Sequence, residues 1–277
     1  MTAPAPHHAP APHAYVSPIP VRAAHLGDAL ASEWTKIRSV RSTMWTLGVM
    51  ILLMVGIGLG VAAIAAASEA PMGEESALSF GFFGMLPASI CVITLGVLTI
   101  ASEYGTGMIR TTLTACPSRA RVLTAKAIVF FLLVFSIAVV VTGLVAAAQV
   151  GMVDAAEPTT GEWLRSTVGA AAYLATLGLL SMAIGTLIRH SAGAITVMIG
   201  LLLLPLVAAM FMFSEALTSV REFLLTYAIP SQMIVLYSTH PPFGEDGPSG
   251  WEPLFILLGV TAAAFAGAFG VLNSRDV

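Results

Sequence analysis

Charge is what this chain lacks. Only 10% of its 277 residues are Asp, Glu, Lys or Arg, and only two are lysines, Lys36 and Lys126. A soluble domain carries about 25% charged residues, and so few charges cannot coat an ordinary soluble fold with a hydrated surface. Wholesale disorder is excluded by the opposite argument: it needs low hydrophobicity and high charge, whereas 57% of these residues are apolar. Cysteine is nearly absent, and Cys91 and Cys116 make neither a disulfide framework nor a four-ligand metal site. The net charge of −3 identifies no acidic or basic partner by itself, and no nucleic-acid partner is expected. A membrane protein is the class that remains.

Six long apolar runs supply the spans: 44–67, 80–101, 127–150, 166–188, 191–213 and 253–272. None contains Asp, Glu, Lys, Arg or His, and each is long enough to cross a hydrocarbon core of about 30 Å as a helix. The expected fold is therefore an all-α polytopic membrane protein. With the N-terminus in the cytoplasm, ten Lys and Arg residues fall inside and two, Arg165 and Arg221, outside; this asymmetry predicts N-in and C-in. Residues 1–24 are Pro/Ala/His-rich and read as a disordered tail. His7, His8 and His13 lie in it, but a solvated tail rather than a metal site is expected. The stretch 214–252 carries Arg221, Glu222 and Pro230. A seventh span would bury the charged pair, so a helical hairpin in the outer interface, turning at Pro230-Ser231, is the expected arrangement.

The empty spans exclude further classes. Carboxylates, histidines and cations within spans mark proton relays and voltage sensors. The chain also lacks a P-loop, because neither lysine is followed by Ser or Thr behind a Gly-rich turn. Metalloprotease and serine-hydrolase motifs are missing too. No catalytic, cofactor-binding or metal-binding residue is identified, and energy for work across the membrane is expected from another subunit.

The cytoplasmic polar residues gather in two segments. In 25–45, Leu26, Leu30, Trp34, Ile37, Val40 and Met44 form one helical stripe. This predicts a helix in the inner interface, with Trp34 at headgroup level and Lys36, Arg38 and Arg41 facing anionic lipid. Glu33 falls within the apolar stripe. Two readings are open: an ion pair with Lys36 at i+3, or a meeting with a cation on a partner or on the next cytoplasmic loop. In 101–126, Glu103 closes the second span, Gly105 and Gly107 break the helix, and Thr106 caps a short new one. Met108, Ile109, Thr112 and Leu113 share a face of it, suited to plugging into a groove on a cytoplasmic partner. Elsewhere, Gly56-x-x-x-Gly60 and Ala263-x-x-x-Gly267 permit close helix approach, and Arg165 is placed to pair with Glu162.

Ser32-Glu33-Trp34-Thr35-Lys36-Ile37-Arg38 before the first span and Glu103-Tyr104-Gly105-Thr106-Gly107-Met108-Ile109-Arg110-Thr111-Thr112-Leu113 after the second resemble segments of a known family. So do Ser118-Arg119, Lys126, Ile188-Arg189-His190-Ser191 and the closing Ser274-Arg275-Asp276-Val277. The family is the membrane subunits of type-2 ABC exporters, which include bacterial antibiotic-resistance and natural-product efflux permeases. The resemblance covers 25–277, implying a single transmembrane domain. It implies a connecting helix at 25–43, including Glu33, Trp34, Lys36, Arg38 and Arg41. It implies a coupling helix at 106–115, where Glu103, Thr106, Gly107, Met108, Ile109, Arg110, Thr112 and Leu113 engage an ATP-binding subunit. An extracellular hairpin is implied at 214–245. The implied assembly has two ATPase subunits, which hold the ATP and Mg, and a second permease copy, taken as a homodimer. The chain itself would be non-catalytic and would move an amphipathic or lipid-like substrate. Two lysines against ten arginines in an Ala-rich chain suggest a high-GC bacterium, hence its cytoplasmic membrane. The alternatives are a regulatory or structural membrane protein that recruits a cytoplasmic partner, and a stand-alone secondary transporter.

Overall fold

A computed structural model describes residues 25–68, 75–116, 118–238 and 247–274. The tail 1–24, Pro117, the end of the expected hairpin at 239–245 and the closing Arg275-Asp276-Val277 lie outside the described residues. Among the described residues every element is helical, and six helices are long and apolar enough to cross a membrane.

The chain opens with α1 (Leu26–Ser39), then α2 (Arg41–Ser68), the first span. A 3-10 turn (Ala77–Phe80) leads into α3 (Gly81–Thr106), and α4 (Met108–Ala115) joins it to α5 (Arg119–Met152). The short α6 (Thr160–Leu164) runs through a π-turn (Arg165–Gly169) into α7 (Ala170–Ile188). After α8 (Ser191–Met210) come α9 (Thr218–Tyr227), α10 (Ile229–Val235) and the last span, α11 (Glu252–Ser274). α2, α3, α5 and α11 overrun the apolar sequence, whereas α8 stops at Met210, short of the end of its run at 213. Thus α5 starts eight residues before its apolar run, capped by the Ser118 side chain accepting from the Arg121 backbone N–H.

α7 is the central helix: 72% of an 18-residue apolar stretch of the span that includes it is buried against the chain, against 22% for the corresponding stretches of α2, α8 and α11. Those three peripheral helices are apolar on nearly all sides, as a helix facing lipid must be. Close approach is set by glycines other than those expected. A methyl at Gly96 would overlap the carbonyl oxygen of Gly178, and one at Gly84 would come within 2.6 Å of the Met54 carbonyl oxygen. Among the described residues nothing beyond its own helix backbone lies within 4 Å of a methyl placed at Gly56, Gly60 or Gly267. The x-x-x spacing shows which small residues share a face, not which face meets a neighbour.

The hairpin turns earlier than expected. α9 and α10, of 10 and 7 residues, are each too short to cross a bilayer. The break between them is at Ala228, because Pro230 sits in the first turn of α10, where its missing N–H costs no helical bond. α10 packs inward through Ile229, Met233 and Val235, while no residue of α9 is buried. Arg165 ties the hairpin to the π-turn: its Nη2 donates to the Ser238 carbonyl at 2.7 Å and its Nε to that of Leu236 at 3.3 Å. The carboxylate of Glu162, the expected partner of Arg165, accepts the Thr159 backbone N–H in a capping box.

The end of the bundle that carries the basic residues is closed by local devices. Arg119 donates to the Leu272 carbonyl, linking the start of α5 to the end of α11. The two-residue join of α7 to α8 turns at Arg189, with φ +58°. His190 Nδ1 then accepts the Gly193 N–H and caps α8.

Candidate functional site

At the basic end, α1 lies across the ends of the spans, and its buried line differs from the apolar stripe. Glu33 and Ile37 are buried, whereas Trp34, Val40 and Met44 are exposed. A carboxylate on the buried face needs a partner, because an unpaired buried charge is costly. Glu33 has two. Its Oε1 accepts from Lys36 Nζ at 2.8 Å and its Oε2 from Lys126 Nζ at 2.6 Å. Glu103 Oε1 accepts from the same two ammoniums, at 3.0 Å from Lys36 and 2.6 Å from Lys126.

Both lysines of the protein thus alternate with two glutamates in a closed, neutral ring. Both readings of Glu33 hold in part: it pairs with Lys36 and also with a more distant cation, Lys126, of this same chain. Lys36 is drawn into the ring instead of facing lipid. Arg38 stays outside, its guanidinium 5.8 Å from the centre of the Trp34 ring, and Arg41 is exposed.

The ring joins four helices: α1 through Glu33 and Lys36, α3 through Glu103, α5 through Lys126, and α4 through Thr112, whose hydroxyl accepts from Lys36 at 3.4 Å. Lys126 is 1% exposed and both carboxylates are buried, so breaking the ring from one side strands a charge. Partial burial pulls the Lys36 ammonium down by desolvation, but the bonds and charges of Glu33 and Glu103 outweigh this and hold it above its ordinary value of 10.5.

α4 is set by one residue. Gly107 has φ +74°, a left-handed conformation that any side chain would strain, and it ends α3 and starts α4. Gly105 remains inside α3. Thr106 does not cap α4; its hydroxyl donates back to the Ser102 carbonyl. The expected shared face also divides. Ile109 is buried within the chain and Thr112 is turned partly inward, while Met108 and Arg110 are exposed. The side chain of Leu113 lies outside the described atoms. The outward side of α4 is therefore Met108, Arg110, Thr111, Thr114 and Ala115.

A cleft of about 440 Å³ lies beside the ring, between α1, the first turns of α2 and the last turns of α3. Sequence reasoning found Glu33, Glu103 and Lys36 individually but missed Lys126 as their partner. The available signal was that the only two lysines fall in the two polar segments.

A family model described as ABC-2 family transporter protein matches residues 29–230 of this chain. No curated protein matches it. The matched region takes in α1 from its first turn, the ring, α4 and the first five spans.

Proposed function

The chain belongs to the ABC-2 family of transporter proteins and is a multi-pass membrane component of an ABC transporter; from that premise we propose that it is the permease of an ATP-driven exporter. Two copies pair as a homodimer in a bacterial cytoplasmic membrane, both termini cytoplasmic, and two separate ATP-binding subunits hold ATP and Mg. The cargo is amphipathic or lipid-like, since the apolar interiors of the spans offer hydroxyls and carbonyls but no fixed charge.

The observation that carries this reading is the connection of α4 to the ring. α4 is short, exposed on one side and braced on the other through Ile109 and the Thr112–Lys36 bond. A push on its outward side is delivered to α3 through Gly107 and, through the ring, to α1 and α5 together. These helices move as one unit because a buried ion-pair ring resists being opened. ATP-driven closure of the ATPases would shift α4, and the rigid spans would carry that shift to the dimer seam.

The test is co-purification with a co-expressed ABC ATP-binding subunit from the same organism. Thr111→Asp together with Thr114→Asp changes the outward side only, since both are exposed and neither lines the cleft. Loss of the ATPase from a permease that still inserts and elutes normally is the expected result; full-stoichiometry retention would show that α4 is not the docking element. Reconstitution of the pair should also show ATP hydrolysis stimulated by an amphipathic substrate.

A further inference from the structure

Charge is withdrawn from the cleft beside the ring. Glu33, Lys36, Glu103 and Lys126 form one end of it, but Glu33, Glu103 and Lys126 are buried, and of these four only Lys36 is partly exposed. The three ammonium N–H groups of Lys36 are committed to Glu33, Glu103 and Thr112. A cation in the cleft meets this ammonium with no carboxylate in reach. An anion finds a charge already balanced by two carboxylates at 2.8 and 3.0 Å.

The polar groups that do reach the surface are hydroxyls. On α3, Ser102 and Thr106 are exposed and Thr99 is half-buried, all lining the cleft. Each gives its proton to the carbonyl four residues back in the same helix, so each oxygen keeps a lone pair for an outside donor. Across the cleft, Ser42 is exposed and Thr43 half-buried on the first turn of α2, and their hydroxyls can donate or accept. Between these walls, Val40 and Leu98 supply accessible apolar surface.

An ammonium only donates and a carboxylate only accepts, whereas an alcohol does both. Acceptor oxygens on one wall, hydroxyls of either sense on the other and no uncompensated charge at the surface complement an alcohol. We infer that this cleft binds a neutral amphiphile through its hydroxyl groups, held between Thr99 and Ser102 of α3 and Ser42 and Thr43 of α2. A volume of about 440 Å³ exceeds what one or two hydroxyls fill and takes part of the apolar body as well. The inference deepens the reading of an amphipathic cargo, and it rests on that reading only for the ligand being cargo. Binding to this chain is tested without the ATPase, so either can fail alone.

Native mass spectrometry of the purified full-length protein, in a detergent without a sugar head, tests it with probes that share one alkyl chain: dodecane-1,2-diol, its dimethyl ether, dodecylammonium and dodecanoate. The ether keeps both oxygens and loses both donors. Retention of the diol over the ether by about tenfold is expected, the worth of one or two neutral hydrogen bonds, with both ions retained less than the diol. Thr99→Val with Ser102→Ala removes two acceptor oxygens from the wall without touching the ring, and should bring the diol close to the ether. Leu98→Trp fills the cleft and should release the diol altogether. Equal retention of diol and ether overturns the inference, as does either ion held as well as the diol. A diol preference that survives Thr99→Val with Ser102→Ala, or diol binding that survives Leu98→Trp, overturns it too.

Discussion

Lys126 Nζ and Glu103 Oε1 stand 2.6 Å apart, joining two successive spans across the loop that contains α4. The pair lies 23 residues apart in sequence, and the same ammonium reaches Glu33, 93 residues away, at the same distance. One buried side chain thus fixes how the surface helix, the second span and the third span meet.

Lys126→Met should be among the most damaging single substitutions at this end. It leaves two carboxylates facing one partly exposed ammonium, a loss expected at roughly 3–5 kcal/mol by analogy with other broken buried pairs. Thermal unfolding in detergent measures it. Lys126→Met with Glu103→Gln should cost less than the sum of the two single changes, because the partners share one interaction.

Lys126→Arg should not restore the wild-type stability. A compact ammonium can bridge carboxylates from two helices, whereas a planar guanidinium is larger and forks toward one. At a site 1% exposed, the added volume is expected to cost about 1–3 kcal/mol. A melting temperature equal to wild type would show the pocket to be more plastic than its burial implies.

Alkaline pH should weaken the ring through Lys36. Its folded value is raised above the ordinary 10.5, so its contribution is fully present below that value and is lost as pH rises through the folded one. Unfolding curves taken between neutral pH and about pH 11.5 should show wild type losing more stability above pH 10.5 than Lys36→Met does. Parallel curves for the two proteins would remove Lys36 as the cause.

Gly96→Ala should destabilise by roughly 1–3 kcal/mol, since the new methyl overlaps the Gly178 carbonyl and α3 must move off α7. Gly56→Ala is the matched control. Among the described residues nothing beyond its own helix backbone stands within 4 Å of its added methyl, so it should be neutral or, by up to about 1 kcal/mol, stabilising. If Gly56→Ala instead disrupts dimers while leaving the monomer fold intact, that face is the seam between copies.

Arg165→Met should loosen the hairpin. Its guanidinium donates two hydrogen bonds, to the carbonyls of Leu236 and Ser238 just after α10, and bonds to a charged group contribute about 1.5–3 kcal/mol. Hydrogen exchange is expected to speed up at residues 229–238 and to stay unchanged in α1 and α4.

Much of the architecture was legible in the sequence. Lipid offers no hydrogen bonds, so a span must satisfy its own backbone and appears as an uninterrupted apolar run; the six runs became α2, α3, α5, α7, α8 and α11, most with an end extended and α8 ending three residues early, at Met210. Local chemistry was legible in part. Gly107 marked the break before α4, but Gly105, equally small, stayed helical because its backbone was never asked to turn. Pro230 marked the hairpin but began its second helix instead of making the turn.

The face of each amphipathic segment was not legible in the same way. Ile109 and Met108 are adjacent and both apolar, yet one is buried and the other exposed, because only the docking of α4 against its neighbours distinguishes them. The ring lies furthest from sequence reasoning. Composition determined that charges would be few and would gather at the ends of the spans. That the only two lysines would close a neutral ring with Glu33 and Glu103 was decided by tertiary packing. A buried charge must find its opposite wherever the fold brings one within reach, and a separation of 93 residues leaves no periodic trace.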